Sequence, residues 1–411
     1  MEPFEHDTFP LYDWGGYEPL APPTILDTTL RDGVQSLLPR YPSLDEKLRL
    51  MELMIDLGIG AFDVGFPISN DRHRRHTRRL VECAAARNPR LRLICLARSR
   101  LSDVAAIADV SQAAGVQMEA LVFVASSPIR LLVEQWDVGE MVKWATEAID
   151  FALKQGLMVN FACEDATRSE PETLKTLHTA ALEHGATRFT IPDTVGISNV
   201  ISAARIVTFL REEVIRGRPI GIDWHGHNDR GLAVANAMAA LSAGADCVHT
   251  TLLGIGERSG NVDLESILAN LHPLCPGCYR LELLPELAAY ASAILGEPIP
   301  ARHPMIGQNA YSTAAGIHGA AILKAQRLGR PELVANTYAG VDPRLTGHDV
   351  EVQVGPLSGT ANVEWAAAGL GLACSPELAG RVLDRARELD RILTADEIAE
   401  ILDPGAAARG D

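Results

Sequence analysis

Two histidines flank a single glycine in "DWHGHNDR", His225 and His227, and an amide and an acid follow at once. On an extended strand, residues two apart face the same side, so the two imidazoles can converge on one cation. Neutral imidazole suits first-row divalent metals, and a carboxylate would supply the charge that a two-histidine site lacks. Taken alone, the same pair reads better as one histidine in a core hydrogen bond and one on the surface. A carboxylate candidate lies far upstream in "LDTTLRDG", where Asp32 can complete a two-histidine, one-carboxylate set. Its neighbour Arg31 can hold a fixed positive charge beside a developing oxyanion. An adjacent Arg-Asp is otherwise an ordinary surface pair. A third piece is the glycine-punctuated "LLGIGERSGNVDLE", in which the Asn261 amide can offer an oxygen to a metal or to a water beside it. The alternative for that loop is a tight turn in which Asn261 or Asp263 caps the following helix.

These residues need elements that bring them to one place. From residue 24 to about 255, short β-branched or apolar runs alternate with longer stretches of helical period, the pattern of consecutive βα units. Eight runs read as strands: 24–27, 61–66, 91–97, 119–125, 157–163, 187–193, 221–227 and 246–253. Between the first two lies "SLDEKLRLMELMIDLG", where Ser43 can cap a helix and Gly58 can end it. Eight parallel strands with right-handed crossovers predict an α/β fold, a (β/α)8 TIM barrel with its active site at the C-terminal strand ends. An open doubly wound sheet is the alternative, but the first turn, "TTLRDGVQS", lacks a Gly-rich phosphate fingerprint. The expected division is an N-terminal arm at 1–23, a barrel at 24–285, mostly helical subdomains at 286–345 and 346–404, and a disordered tail at 405–411.

The 411 residues carry a formal net charge of −16, with 47% hydrophobic and 22% charged content. That balance argues against nucleic-acid and anionic-membrane partners, both of which would repel the chain. No apolar run is long enough to span a bilayer, and "MEPFEHDTFPLYDW" has neither a basic start nor an apolar segment of the secretory kind. A cytoplasmic enzyme acting on small molecules is the expectation. Seven scattered cysteines suggest reduced thiols, and "CPGC" at 275–278 has no partner ligands in sequence for a structural zinc.

"DTTLRDG", "HGHND", "GIGERSGN" and "AGIH", in this order and at eight-strand spacing, resemble the DRE-TIM metallolyase family. The likeness is to its acyl-CoA-dependent branch of 2-isopropylmalate, homocitrate and citramalate synthases, over roughly residues 24 to 400. The resemblance implies a divalent metal (Mg, Mn or Zn) that chelates a 2-oxo acid. It also implies acetyl-CoA, which adds through its deprotonated methyl group before thioester hydrolysis releases CoA. It implies Asp32, His225 and His227 as metal ligands, Asn261 as a weaker one, and Arg31 as the catalytic arginine. The acid on the family's second strand, usually a glutamate, is Asp63 here in "FDVGFP", shorter by a methylene in its reach to Arg31. Glu164 and Thr194, at the ends of the fifth and sixth strands, match positions that contact the oxo acid. His318 in "AGIHGAAILK" and Tyr338 in "YAGVDPR" resemble the synthases' acid/base pair, which reaches the neighbouring subunit's site and so implies a homodimer with composite sites. Otherwise His318 would cap a helix and Tyr338 would pack in a seam. Isopropylmalate synthases usually carry a further C-terminal leucine-binding regulatory domain, and on this resemblance feedback by leucine through such a domain is not expected here.

The identity of the oxo acid is the open point. Val34 stands where the isopropylmalate group commonly has glutamate. The segment "ISNDRHRRHTRRL" carries Arg72, Arg74, Arg75, Arg78 and Arg79 with His73 and His76. It can favour a dianionic oxo acid, meet the phosphates of CoA, or simply be a solvated helix face. Arg130 in "SSPIR" is a second candidate partner for a distal carboxylate. "GFPIS" and "SSPIR" resemble the isopropylmalate group more than the homocitrate group, so a 2-isopropylmalate synthase is the expectation, with homocitrate, citramalate and phosphonomethylmalate-type synthases as alternatives. A retro-aldol or retro-Claisen lyase on the same barrel, and an inactive paralogue serving as a scaffold, are the readings from other classes.

Overall fold

The computed structural model describes residues 22–403; the expected tail at 405–411 and nearly all of the arm at 1–23 lie outside them. The order of elements is β1 (Thr24–Asp27), α1 (Leu44–Leu57), β2 (Ala61–Asp63), α2 (Asp71–Arg87), β3 (Arg92–Arg98), α3 (Leu101–Ala114) and β4 (Glu119–Ala125). There follow α4 (Pro128–Glu134), α5 (Val138–Lys154), β5 (Met158–Glu164), α6 (Pro171–Glu183), β6 (Arg188–Asp193), α7 (Val200–Phe209), β7 (Gly221–Gly226), α8 (Ala233–Ser242), β8 (Cys247–Thr250) and α9 (Leu264–Leu271). The strands pair in parallel and in chain order, and β8 closes on β1 through Thr24–Asp27 against Cys247–Thr250. This is the TIM barrel expected from the sequence, with strands shortened by up to four residues where side chains leave the sheet to form the mouth.

Local chemistry explains the elements. In α1, Ser43 Oγ accepts from the Glu46 amide and Glu46 returns a bond to the Ser43 amide, a reciprocal cap. Gly58 ends the helix at φ 112°, a conformation that L side chains rarely adopt. Leu50, Met51, Met54 and Leu57 fall on its buried face, each contributing about 1.5–3 kcal/mol by leaving water.

Inside the barrel, Leu26, Ala61, Ile94, Leu121, Ala162 and Cys247 form an apolar layer. A charged network occupies the same interior. Asp223 on β7 accepts from Arg92 Nη2 at 2.6 Å, Arg188 Nη1 at 2.7 Å and Asn160 Nδ2 at 3.1 Å, with His249 Nε2 at 3.2 Å. Arg92 also forks onto Glu119 at 2.9 and 2.7 Å. Buried charges are tolerated when each finds its counter-charge and its hydrogen bonds, and here they do.

The chain divides into two compact units between Arg280 and Leu281. The second contains α10 (Leu284–Leu295), β9 (Ser312–Thr313), α11 (Gly316–Arg327), α12 (Pro331–Asn336), β10 (Glu351–Val352), α13 (Thr360–Gly369), α14 (Pro376–Leu389) and α15 (Ala395–Leu402). Val354, Val363, Val382, Leu383, Ala386 and Ile398 form the core of its last helices.

Candidate metal centre and active site

The turn after β1 carries two of the expected residues. Asp27 Oδ1 accepts from the Thr29 amide at 2.9 Å and Oδ2 from the Thr29 hydroxyl at 2.8 Å. That hydroxyl in turn accepts from the Leu252 amide at 2.9 Å, which ties the turn to the loop after β8. Thr29–Gly33 winds as one π-helical turn and presents Arg31 and Asp32, both buried, at the mouth. Burial pushes the Asp27 carboxyl up to about 7, against the pull of its Thr29 bonds.

Three ligand-bearing side chains converge there. His225 Nε2 and His227 Nε2 are 3.3 Å apart, and Asp32 Oδ2 lies 3.6 and 3.7 Å from them. Ligands spaced by about 3.0–3.4 Å surround a cation at bond lengths near 2.1 Å, so the triangle is close to the size a divalent ion needs. Burial, reinforced by Arg31, holds both imidazoles below their usual range despite Asp32, which keeps them neutral as ligands must be. Burial works against the Asp32 carboxylate, but Arg31, the two histidines and the Asn261 bond outweigh it and hold its pKa far below the usual range. His227 Nδ1 and Asn261 Oδ1 are buried with no hydrogen-bond partner among the described residues. The donor set, its protonation states and the unpartnered amide oxygen fit a divalent metal.

Asn261 differs from the simplest expectation. Its Nδ2 donates to Asp32 Oδ2 at 2.9 Å and to the Ile255 carbonyl at 3.1 Å, so it holds the candidate ligand Asp32 as well as presenting an oxygen. It is bridged to His227 by the backbone, and Asp263, not Asn261, caps α9. Gly260, at φ 87°, lets the loop fold back so closely that any Cβ would collide with the Gly254 carbonyl.

Asp63 reaches Arg31 in spite of its missing methylene: Arg31 Nε donates to Asp63 Oδ2 at 2.6 Å, while Nη1 pairs with Asp32 Oδ1. Among the described residues, no carboxylate pairs with the Nη2 edge of Arg31. A cavity of about 370 Å³ opens over these groups, with Leu96, Leu121, Phe123 and Ala162 as apolar wall and Glu164, Thr190 and Thr194 as polar edge. Thr194 Oγ1 is fixed by the Asp165 amide at 2.9 Å. Glu164 pairs with Arg130, and burial still raises its carboxyl above the usual range.

Arg130 departs from its expected role. Its guanidinium is engaged by Glu164 and by Glu134 at 2.9 Å, and it lines a neighbouring cavity of about 610 Å³ with Arg98, Trp136 and Trp144. The basic segment lies largely on α2: Asn70 caps the helix by accepting from the His73 amide at 2.9 Å, and none of its arginines lines the cavity over Asp32, His225 and His227. Arg78 and Arg79 both pair with Glu82, which makes that half of α2 the solvated face of the plainer alternative.

In the C-terminal unit, His318 and Tyr338 stack, ring centroids 3.9 Å apart at 25°. His318 Nδ1 lies 3.0 Å from Thr313 Oγ1, and the first turn of α11 has no side-chain cap, so His318 is no helix cap. Tyr338 is 49% exposed.

Sequence reasoning missed Gln35, Glu257 and Arg258, which line the cavity. Arg258 forks onto Asp229 at 2.7 and 3.0 Å and donates to the Thr194 carbonyl at 2.6 Å, with left-handed backbone at φ 55°. "GERSG" held the signal, a charged pair inside a glycine-bounded loop at a strand end. A second potential metal group, Asp223, Cys247 and His249, is the interior charge network; two arginines saturate its carboxylate and burial pushes its thiol up.

A family model described as HMGL-like matches residues 22–279. Homocitrate synthase AksA of Methanopyrus kandleri is 33% identical, covering 94% of this chain and 93% of its own length. The 2-isopropylmalate synthase of Sulfolobus acidocaldarius is 31% identical, covering 82% of each. The solved hydroxymethylglutaryl-CoA lyase from Pseudomonas aeruginosa shares the fold with a TM-score of 0.59 and 19% identity, over 69% of this chain and 96% of that one.

Proposed function

The chain belongs to the HMGL-like family, among the DRE-TIM metallolyases, and is an enzyme of the acyltransferase-type synthase group; we propose that it condenses acetyl-CoA with a 2-oxo acid to give a 2-alkylmalate-type product and free CoA. Of the oxo acids, the one used by 2-isopropylmalate synthases is the first choice. The observation that carries the reading is the convergence of Asp32, His225 and His227 beside the Arg31–Asp63 pair, under an apolar-walled cavity.

A divalent metal, Mg, Mn or Zn, held by Asp32, His225 and His227 with Asn261 alongside, would supply Lewis-acid polarisation of the ketone. Arg31, locked by Asp63 and Asp32, turns its free Nη2 edge to the oxygen on which negative charge develops. The guanidinium stays charged throughout: burial opposes this, but the two carboxylates outweigh it. Leu96, Leu121 and Phe123 exclude water and accept the side chain of the oxo acid, and Thr194 and Glu164 bound its polar end. His318 and Tyr338, from a second copy of the chain, are the proposed pair that removes a proton from the acetyl methyl group. A cytoplasmic homodimer follows from this reading, and no helix among the described residues is long and apolar enough to cross a membrane.

The apolar wall favours a 2-oxo acid with a branched alkyl group; a dianionic oxo acid, as in homocitrate or citramalate-type synthases, would leave its distal carboxylate against Leu96 and Leu121. A retro-aldol lyase would need the same metal ligands but not the C-terminal unit with His318 and Tyr338. The test is thiol release from acetyl-CoA with a panel of 2-oxo acids and metal-loaded protein. Oxo-acid-dependent CoA production is expected, greatest with 2-oxoisovalerate; no release with any acid would sink the synthase reading.

A further inference from the structure

We propose that the cavity of about 610 Å³ beside the catalytic one is an annex of the acceptor site that takes the ring of an aryl-substituted 2-oxo acid, an inference that rests on the synthase reading. Phe123 and Glu164 line both cavities, so the two chambers adjoin along one wall. Phe123 stands on β4, where every other residue is buried, and it alone is left partly open. An oxo acid held over Asp32, His225 and His227, with its side chain along Leu96, meets Phe123 next. A side chain longer than isopropyl continues past that ring into the second chamber.

The second chamber is aromatic. Trp136, in the link between α4 and α5, and Trp144 on α5 meet edge to face, ring centroids 5.3 Å apart at 80°. Both indoles stay partly exposed, although each ring gains by leaving water. With Phe123 they offer three aromatic surfaces to one concave space, the composition of a small-molecule pocket. Charge decides between an aryl group and a second carboxylate. Arg98, Arg100 and Arg130 line the chamber, but Arg98 donates to Asp103 through Nε at 2.7 Å and Nη2 at 3.0 Å, and Arg130 is held between Glu164 and Glu134. Three carboxylates thus oppose three guanidiniums, and the chamber has no net positive charge to hold a distal carboxylate. Paired guanidiniums still present flat faces to rings, as Arg98 does over Phe66 with its Cζ 5.7 Å from the centroid.

The reaction is the same condensation with a different acceptor. The acetyl methyl carbon, after losing its proton, bonds to the ketone carbon; the ketone oxygen takes up a proton, and water cleaves the thioester to free CoA. The product is a 2-(arylmethyl)malate. The experiment compares phenylpyruvate, 2-oxoisovalerate and 2-oxoglutarate on the full metal-loaded chain, in wild type, Trp136→Ala and Trp144→Leu. Binding is read by calorimetry without acetyl-CoA, and turnover by CoA release. Phenylpyruvate is expected to bind wild type and support release, and either substitution should weaken its binding about 10-fold, the scale of one lost ring contact and the area it covered. The KM for 2-oxoisovalerate should stay unchanged, because neither tryptophan lines the catalytic cavity, and this also reports that a variant is folded. Both tryptophans are partly exposed, and one variant carries the test if the other does not fold. Absence of phenylpyruvate binding to wild type, equal affinity in wild type and variants, or a loss confined to 2-oxoglutarate overturns the annex. So does phenylpyruvate binding without CoA release while 2-oxoisovalerate supports it. Failure of the synthase reading shows separately, as no CoA release with any acid while phenylpyruvate titrations still separate the variants.

Discussion

Asp27 offers a quantitative test of how the arginine-bearing turn is held. Its carboxyl is raised from 3.8 to about 7 by burial, so in the folded chain it stays protonated through the mildly acidic range. A folded-state pKa above the unfolded value means stability that is complete below about pH 4 and lost as the pH rises through about 7. With 1.36 kcal/mol per unit, the ionisable group costs about 1.5 kcal/mol at pH 5 and about 4 kcal/mol at pH 8. Asp27→Asn cannot ionise. It keeps an acceptor for the Thr29 amide and exchanges the acceptor facing the Thr29 hydroxyl for a donor, at about 1 kcal/mol independent of pH. Urea unfolding of both proteins at pH 5 and pH 8 should therefore show the variant gaining about 2.5 kcal/mol on wild type between the two pH values. Other titrations, such as those of Asp32 and Asp223, are common to both proteins and cancel. A gap that stays constant within about 0.5 kcal/mol would refute the buried, protonated Asp27.

His225→Ala should retain less than stoichiometric metal after dialysis, measured by mass spectrometry, together with loss of turnover; full metal retention counts against its role as a ligand. Arg31→Lys keeps a charge but loses the fork that spans Asp63 and Asp32, and kcat should fall about 100-fold or more with little change in metal content, measured by steady-state CoA release. Asp63→Glu adds a methylene at a fully buried strand position and should lower stability by about 1–3 kcal/mol in denaturant titration without improving kcat, because Asp63 already meets Arg31 at 2.6 Å. Mixing inactive His318→Ala with inactive Arg31→Ala chains should restore measurable activity if sites are shared between copies; heterodimers that stay inactive would place the whole site in one chain.

The barrel was legible because its signals are periodic and local. Strand runs, the Ser43 cap and the Gly58 stop each depend on a few neighbouring residues, and they appear where expected. The convergence of Asp32 with His225 and His227 was legible for a different reason: strand ends of a barrel meet whatever their separation in sequence. Arg258 and Glu257 were overlooked although "GERSG" marks a charged pair in a glycine-bounded loop, because the left-handed backbone of Arg258 that turns it toward Asp229 and Thr194 has no sequence mark. Arg130 was assigned to a substrate because its partners, Glu164 and Glu134, lie at a distance in sequence and at one helical turn, and neither pairing is visible in a linear reading. The segment after β2 left its readings open because seven basic residues surround an apolar helix face made only of Thr77, Leu80, Val81 and Ala84.

The interior charge network has a consequence for how the site is acquired. A strand slipped by two residues keeps its inward face, so apolar alternation alone does not forbid that error. On β7, such a slip would carry Asp223 away from Arg92 and Arg188 and leave its carboxylate stranded in the interior without those counter-charges, while Arg92 kept Glu119. The same strand holds His225 two positions further on, at the height of His249 on β8. Asp223 thus acts as a ruler: the chain cannot close its barrel at low energy without also setting the two imidazoles at the level of Asp32, so a correctly folded molecule is one whose proposed metal ligands are already aligned.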